Sequence, residues 1–252
     1  MRIAALALLV CPAGLLGQAS PPAHTSASPD FTGVWRRSRR APDNKRQYTV
    51  AELVQPLGDA PPMTAWGQAR FNAAKPNIGP RSVPFAESND PTTQCLPPGI
   101  PRLYTVMLGA PFEILQVPGR IIMFFENNHF VRQIFIDGRP HSDDTGPTYL
   151  GDAIGKWEGT TLVVDTVGFN DKTWLDTFGH PHSDALHLVE RFQRPKSDVL
   201  TDDISINDPK AYTKPWLSHM IFDYEPGWNI QELVCEDNLN FKDLQKLSET
   251  HK

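Results

Sequence analysis

Residues 168–192 hold the densest group of side chains in the chain that could do chemistry, with three histidines and three aspartates. His180 and His182 are separated by one proline, which favours extended backbone and directs both imidazoles the same way. Two imidazoles placed like this often bind one metal ion, and His187 or Asp184 could supply a third ligand. The segment therefore predicts a site for one divalent metal ion (zinc, manganese or iron). The alternative is a polar loop whose histidines cap turns.

A second motif, PHSD at 140–143, repeats the PHSD at 181–184. If both loops lie at the same rim of the fold, they could build one site together. Alternatively, each is a turn in which Ser and Asp satisfy local backbone donors. In the shared site, Asp176 or His141 would move the proton and Arg139 would orient an anionic group of the substrate.

Three carboxylates, Glu126, Asp165 and Glu190, lie on apolar faces of predicted strands. A carboxylate on such a face must be paired, hydrogen-bonded or protonated, which makes it a candidate for acid–base chemistry. Alternatively, these faces point outward, or each acid pairs with an arginine such as Arg132 or Arg191. The predicted site residues are catalytic Asp176, His141 and Glu126; substrate-binding Arg139, His129 and Trp174; and metal-binding His180, His182, His187 and Asp184.

The elements that must position these residues are β-strands. β-Rich runs separated by turn dipeptides such as Pro118-Gly119 and Asp137-Gly138 predict roughly nine strands, the first at 31–35 and the last at 230–237. No helix is long enough for a parallel crossover, so the sequence predicts a mainly β fold, a single antiparallel meander. Closure removes the exposed edges and favours a lipocalin-like (calycin-type) β-barrel with room inside for one small ligand.

The strands form one predicted domain at 31–240, which includes an irregular, proline-rich arm at 41–101. A short helix is predicted within the arm at 64–74. Long irregular segments are uncommon in compact domains unless they pack on a scaffold or shape a site. We therefore expect the arm to wrap across the barrel mouth. A flexible linker at 20–30 precedes the domain, and a polar tail at 241–252 follows it.

The N-terminus is typical of a signal peptide at 1–19, with Arg2 before an apolar run that is too short to span a membrane. A lipoprotein anchored at Cys11 is the alternative. Export leaves Cys95 and Cys235, which predicts one disulfide between the arm and the last strand. Two separate buried thiols are the alternative. The predicted location is secreted or periplasmic, with no membrane span.

Length and charge bound the function further. The chain has 252 residues, enough for one sizeable domain, and its net charge is −5 with lysine and arginine spread thinly. Without a basic face, nucleic acid is not an expected partner. The sequence makes no prediction of oligomeric state.

The run GDAIGKWEGTTLVVDTVGFNDKTWLDTFGHPHSDALHLVERF resembles the signature block of a large set of secreted bacterial proteins. The likeness extends from DFTGVW through QCLPPGIPR to ELVCEDN. This resemblance implies export and a single domain, and it carries no reaction with it. More loosely, the GKWEG turn within a meander is similar to lipocalin-like, calycin-type barrels, and that likeness concerns the fold alone.

These observations predict a secreted enzyme that acts on a small extracellular organic substrate, plant- or polysaccharide-derived. It would use histidine and carboxylate acid–base chemistry for hydrolysis or β-elimination, with or without one divalent metal ion. The main alternative is a non-catalytic, lipocalin-like binding protein for a small molecule. An interaction module of the cell envelope, with the proline-rich arm as its contact surface, is a third possibility.

Overall fold

A computed structural model describes residues 28–39, 57–106, 109–143 and 146–235. Nine strands in this part of the chain close into one barrel, which confirms the predicted fold class. The strands are β1 Gly33–Arg37, β2 Phe112–Val117, β3 Arg120–Phe125, β4 Val131–Phe135, β5 Asp152–Glu158, β6 Thr161–Val167, β7 His187–Lys196, β8 Val199–Asn207 and β9 Trp216–Tyr224. The predicted signal peptide at 1–19, most of the linker and the tail at 241–252 lie outside the described residues.

Neighbouring strands pair in sequence order, and β1 closes the barrel against β9, with Trp35 opposite Tyr224. The pairing is antiparallel except between β4 and β5, which are parallel with Ile134 opposite Ala153. The sequence predicts antiparallel pairing throughout because it offers no crossover helix. Instead, the connection between β4 and β5, which is irregular where it is described at 136–143 and 146–151, carries the chain back along the barrel and makes the parallel pair possible.

Strand alternation decides which side chains enter the barrel. In β6 the side chains of Leu162, Val164 and Thr166 are buried, whereas that of Asp165 lies on the other face. Glu190 of β7 is fully buried. Of the acids predicted on apolar faces, Asp165 therefore points outward and Glu190 inward.

Glu190 pairs with Arg132 inside the barrel, which agrees with the alternative that an acid on an apolar face pairs with an arginine. The Arg132 guanidinium binds both carboxylate oxygens of Glu190, and its Nη2 also donates to Thr166 Oγ1 at 3.0 Å. Tyr104 Oη lies 2.8 Å from Glu190 Oε1. Burial raises the pKa of the Tyr104 hydroxyl well above its usual 10.0, so this phenol stays protonated and donates.

The end of the arm and the residues just after it contribute to the barrel core. Ile100, Leu103 and Tyr104, from the segment around a short 3₁₀ turn at Arg102–Tyr104, are buried. The Tyr104 ring lies 5.7 Å from that of Phe112 and 5.5 Å from that of Phe222, between centroids. Aromatic side chains and an ion pair thus fill space that an open lipocalin-like barrel leaves for a ligand.

The predicted disulfide between Cys95 and Cys235 is present, with a Cα–Cα distance of 5.5 Å. It ties the arm to the end of the described chain. The predicted last strand at 230–237 is not formed in its described part, where Leu233 makes an isolated bridge with Asn127. The first and last strands of the barrel are instead β1 and β9, which pair with each other and close it.

The two ends of the barrel differ in their connections. Tight hairpins join β2 to β3, β5 to β6 and β7 to β8 at one end. At the other end lie the described part of the arm, from residue 57 onward, and the connections at 168–186 and 208–215. The predicted helix forms as α1, Ala65–Ala73, and begins where Thr64 accepts a hydrogen bond from Gly67 N. Since Thr64 N donates to Ala211 O, α1 lies against the 208–215 connection, at the end we call the loop rim.

Candidate functional site

The connection at 168–186 folds back on itself at the loop rim. Trp174 pairs with Pro181 in an antiparallel bridge, and Leu175 N donates to His180 O. The turn between them ends at Gly179, whose φ of 86° favours a residue without a Cβ atom. In this register, Thr173 comes to lie beside His182.

Asp176 and His180 form a buried pair within the same turn. His180 Nδ1 lies 2.5 Å from Asp176 Oδ2, and Asp176 Oδ1 accepts bonds from Phe178 N and His180 N. The imidazole stacks on Phe71 of α1 at a centroid distance of 4.7 Å and meets Trp216 edge-on at 5.1 Å. Asp176, predicted as a proton-transfer residue, therefore fixes the orientation of His180 and of the turn.

His182 is hydrogen-bonded through both ring nitrogens. Nδ1 lies 3.1 Å from the carbonyl oxygen of Ser183, and Nε2 lies 2.6 Å from Thr173 Oγ1. A carbonyl oxygen can only accept, so Nδ1 carries the proton. Burial lowers the pKa of His182 below its usual 6.5, which keeps the ring neutral and leaves Nε2 to accept the Thr173 hydroxyl.

A cavity of about 290 Å³ opens beside Thr173 and His182, between α1 and the 168–186 connection. Thr173, His182 and Trp174 lie in its wall, and the charged residues Arg70, Asp171 and Lys172 line it as well. Arg70 Nη2 is 3.7 Å from Asp171 Oδ2. Of the predicted site residues, the structure thus brings His182 and Trp174 to one cavity, with His180 and Asp176 in the adjoining turn.

His141 belongs to a second cluster, on the outside of the barrel. Its Nδ1 lies 3.1 Å from Asp152 Oδ2 and its Nε2 lies 3.0 Å from Asp165 Oδ1. His187 Nε2 lies 2.9 Å from the other Asp165 oxygen. Desolvation alone would raise the pKa of Asp165, but the bonds from His187 and His141 outweigh it and lower that pKa. The cluster holds the 136–151 connection against β5 and β6.

The two PHSD motifs therefore do not build one site. His141 contacts the outward carboxylates of β5 and β6, whereas His182 faces Thr173 at the loop rim. Ser183 donates to Asp208 through its backbone N and its Oγ, which ties this PHSD segment to the 208–215 connection, while Ser183 Oγ accepts the local bond from Ala185 N at 3.0 Å that is expected of a turn. The repeated motif serves two different packing tasks.

Glu126 and His129, predicted to lie at the same mouth, hold the C-terminal segment instead. Glu126 Oε2 accepts bonds from Trp228 Nε1 and Gln231 N, each at 2.9 Å. The exposed His129 places Nε2 3.2 Å from Gln231 O. Because these two donors use the Glu126 carboxylate to hold the C-terminal segment, the geometry does not support a catalytic role for Glu126.

Arg139 and Asp184 lie apart from the cavity, in exposed positions. Arg139 forms an ion pair with Asp137, two residues before it, and its guanidinium lies over the Phe135 ring. Asp184 Oδ1 is 3.2 Å from Lys210 Nζ. Neither contributes to the walls formed by Thr173 and His182.

The four predicted metal ligands have separate partners. His180 binds Asp176, His182 binds Thr173, His187 binds Asp165 and Asp184 binds Lys210. Across the described ranges, no group of three or more His, Cys, Asp or Glu side chains has a geometry that could hold a metal ion. The structure does not bring these residues together as one ligand set, and a bound metal stays a prediction from sequence.

The predicted site residues omit Arg70 and Lys172, which line the cavity, and Thr173, which contacts His182 there. A usable signal was present, since a turn ending in Gly179 between Trp174 and Pro181 places the residue before Trp174 opposite the residue after Pro181. The spacing of His180 and His182 favours an extended segment, whereas the chain reverses at the turn that ends at Gly179.

Comparison of the chain with protein-family models and with curated proteins found no match. In the part of the chain that the structure describes, no helix is long and apolar enough to cross a membrane. The resemblance to secreted bacterial proteins remains a prediction, and function has to be argued from the geometry of the site.

Proposed function

We propose that the chain is a secreted enzyme that acts on a small organic substrate by acid–base chemistry in the loop-rim cavity. The observation that carries this proposal is the 2.6 Å contact between Thr173 Oγ1 and a neutral His182 in the cavity wall. A neutral imidazole whose Nε2 accepts a hydroxyl hydrogen bond is a general base that can take a proton near neutral pH. Export is supported by the N-terminal sequence, and the disulfide is compatible with an oxidising compartment.

The cavity dimensions favour a small molecule or the end of a longer one. About 290 Å³ is near the lower limit of known ligand pockets. The indole of Trp174 offers an apolar wall, while Arg70 and Lys172 offer positive charge. A plant- or polysaccharide-derived acid would match this combination of groups.

Hydrolysis and β-elimination both begin with a proton transfer that His182 could accept. In either reaction, the buried Asp176–His180 pair would act as a positioning element, because it fixes the turn that sets His182 opposite Thr173. Its Asp176 carboxylate, fully buried and bonded to two backbone N–H groups, keeps this turn in one conformation.

A small-molecule binding protein is the second candidate, and a separate cavity favours it. About 420 Å³ lies between β4 and the residues leading into β5, lined by Phe130, Val131, Leu150 and Asp152 among others. A lipocalin-like ligand inside the barrel would have to displace Tyr104 and the Arg132–Glu190 pair. Binding would therefore use this external cleft rather than the barrel interior.

The test is a substrate screen with the wild type, His182→Gln and His219→Gln. Chromogenic esters and lactones test for hydrolysis, and uronic-acid polysaccharides that yield unsaturated uronides test for β-elimination. His219 is a matched control because it is an exposed histidine paired with Asp203 on the barrel surface. We expect turnover that falls at least about 100-fold in His182→Gln, the usual contribution of a general base, and stays unchanged in His219→Gln. Equal activity of both variants would reject the loop-rim site, and binding without turnover would favour the second candidate.

A further inference from the structure

We propose that Thr173 is a nucleophile and that the cavity binds small carboxylic esters that also carry an unesterified carboxylate group. This inference rests on the proposed function and narrows it to acyl transfer through a covalent intermediate. It assigns different tasks to the hydroxyl, the imidazole and the cations of one cavity.

The hydrogen-bond order activates the Thr173 hydroxyl. Because His182 Nδ1–H donates to Ser183 O at 3.1 Å, Nε2 must accept, and the hydroxyl 2.6 Å away must donate to it. The oxygen of Thr173 then keeps its lone pairs for a substrate carbon. A hydroxyl, a base within hydrogen-bond reach and a third group that orients the base are the arrangement of an activated nucleophile. Here the orienting group is a backbone carbonyl.

The hydroxyl is also held in one place. Thr173 and His182 are buried, and the Trp174–Pro181 bridge fixes the backbone on both sides of them. Gly99 packs against the same hydroxyl so closely that a Cβ atom at that position would lie 2.8 Å from Thr173 Oγ1. Such positioning is what makes a weak alcohol nucleophile effective.

The charges around the cavity select the substrate. Arg70 and Lys172 contribute two positive charges and Asp171 one negative charge, so the lining carries a net positive charge. The Arg70 side chain is 56% exposed despite its ion pair with Asp171, so a ligand can approach it. An ester that bears a carboxylate at its other end would place that group toward these cations, with its ester carbonyl toward Thr173.

The reaction balances with groups that are present in the cavity and with water. Thr173 Oγ1 attacks the ester carbonyl carbon, its proton passes to His182 Nε2, and a carbon–oxygen bond to Thr173 forms. The bond to the leaving alcohol breaks, and that alcohol takes the proton from Nε2. Water, deprotonated by the same nitrogen, then attacks the acyl-Thr173 ester, releases the acid and restores both residues.

The test uses the 4-nitrophenyl monoester of succinate as the charged probe and 4-nitrophenyl acetate as the neutral one. Intact-mass spectrometry after rapid acid quench should detect one succinyl group on the wild type, mapped to Thr173 by peptide sequencing. Thr173→Ser should keep the adduct and Thr173→Val should lose it. Thr201→Val, at a β8 threonine whose Oγ1 meets Gln193 O at 3.4 Å, is the matched control and should behave as wild type.

Removal of either cation, by Arg70→Met or Lys172→Met, should lower the preference for the charged ester about two- to fivefold, as expected for an exposed charge. An adduct on another residue, or wild-type turnover that survives Thr173→Val but not His182→Gln, would overturn the nucleophile while leaving the acid–base site intact. Absence of charged-ester hydrolysis by the wild type would also overturn it. Activity of His182→Gln equal to wild type would reject the proposed function itself.

Discussion

Replacing Glu190 by Gln tests whether the polar groups inside the barrel are held together by charge. The change keeps the side-chain shape but leaves the Arg132 guanidinium, 1% exposed, without its carboxylate. Removing one member of a buried ion pair costs about 3–5 kcal/mol because the remaining charge is not compensated. For a domain of this size, a loss of 1 kcal/mol lowers Tm by roughly 2–4 °C, so we expect a drop of about 6–20 °C.

Thermal and urea denaturation, followed by circular dichroism, would measure this loss of unfolding free energy. The double variant Arg132→Met/Glu190→Leu removes both charges, and we expect it to be less destabilised than Glu190→Gln alone. A loss below about 1 kcal/mol for Glu190→Gln, the range of exposed ion pairs, would show that the buried pair does not hold these groups together by charge. So would a double variant that is less stable than the single one, because the cost would then lie in packing.

Three further predictions concern stability. Burial, helped by the charge of Glu190, raises the pKa of Asp202 well above 3.8. The folded state therefore favours protonated Asp202, and this stabilisation is complete below pH 3.8 and is lost as pH rises through the raised pKa. Asp202→Asn should raise Tm at pH 8 and leave it unchanged near pH 3. Cys95→Ser, with Cys235→Ser, opens a link of 140 residues and should cost about 2–5 kcal/mol in urea unfolding, whereas equal midpoints would contradict this. Helix propensity favours Gly67→Ala by about 1 kcal/mol, but the new Cβ atom would lie 2.2 Å from Ala211 O. We therefore expect a lower Tm, and a higher Tm would show that this contact relaxes.

The fold was largely predictable from the sequence because strand alternation and turn dipeptides are local signals. Runs such as 112–117 and 120–125, joined at Pro118-Gly119, form the hairpin they predict. The parallel β4–β5 pair was not predictable in this way, since the 136–151 connection has no helical pattern to mark it as a crossover. Nor does local sequence indicate that Tyr104, just after the arm, enters the barrel to meet Glu190.

The site was predicted in part. Residue density in 168–192 located the correct segment, and Trp174 and His182 do reach one cavity. Spacing alone could not show that His180 and His182 have different partners, because the turn at Gly179 reverses the chain before them. Long-range partners such as Gln231 for Glu126 depend on the closed barrel and the C-terminal segment, which no local pattern encodes.

The most direct test of the central claim is the protonation state of His182, measured by ¹H–¹⁵N correlation NMR on protein labelled with ¹⁵N-histidine and assigned with His182→Gln. At neutral pH we expect a neutral ring with its proton on Nδ1, a lone pair on Nε2, and a midpoint below the usual 6.5 on acid titration. An imidazolium at neutral pH, or a proton on Nε2, would contradict it, because Thr173 would then have no base.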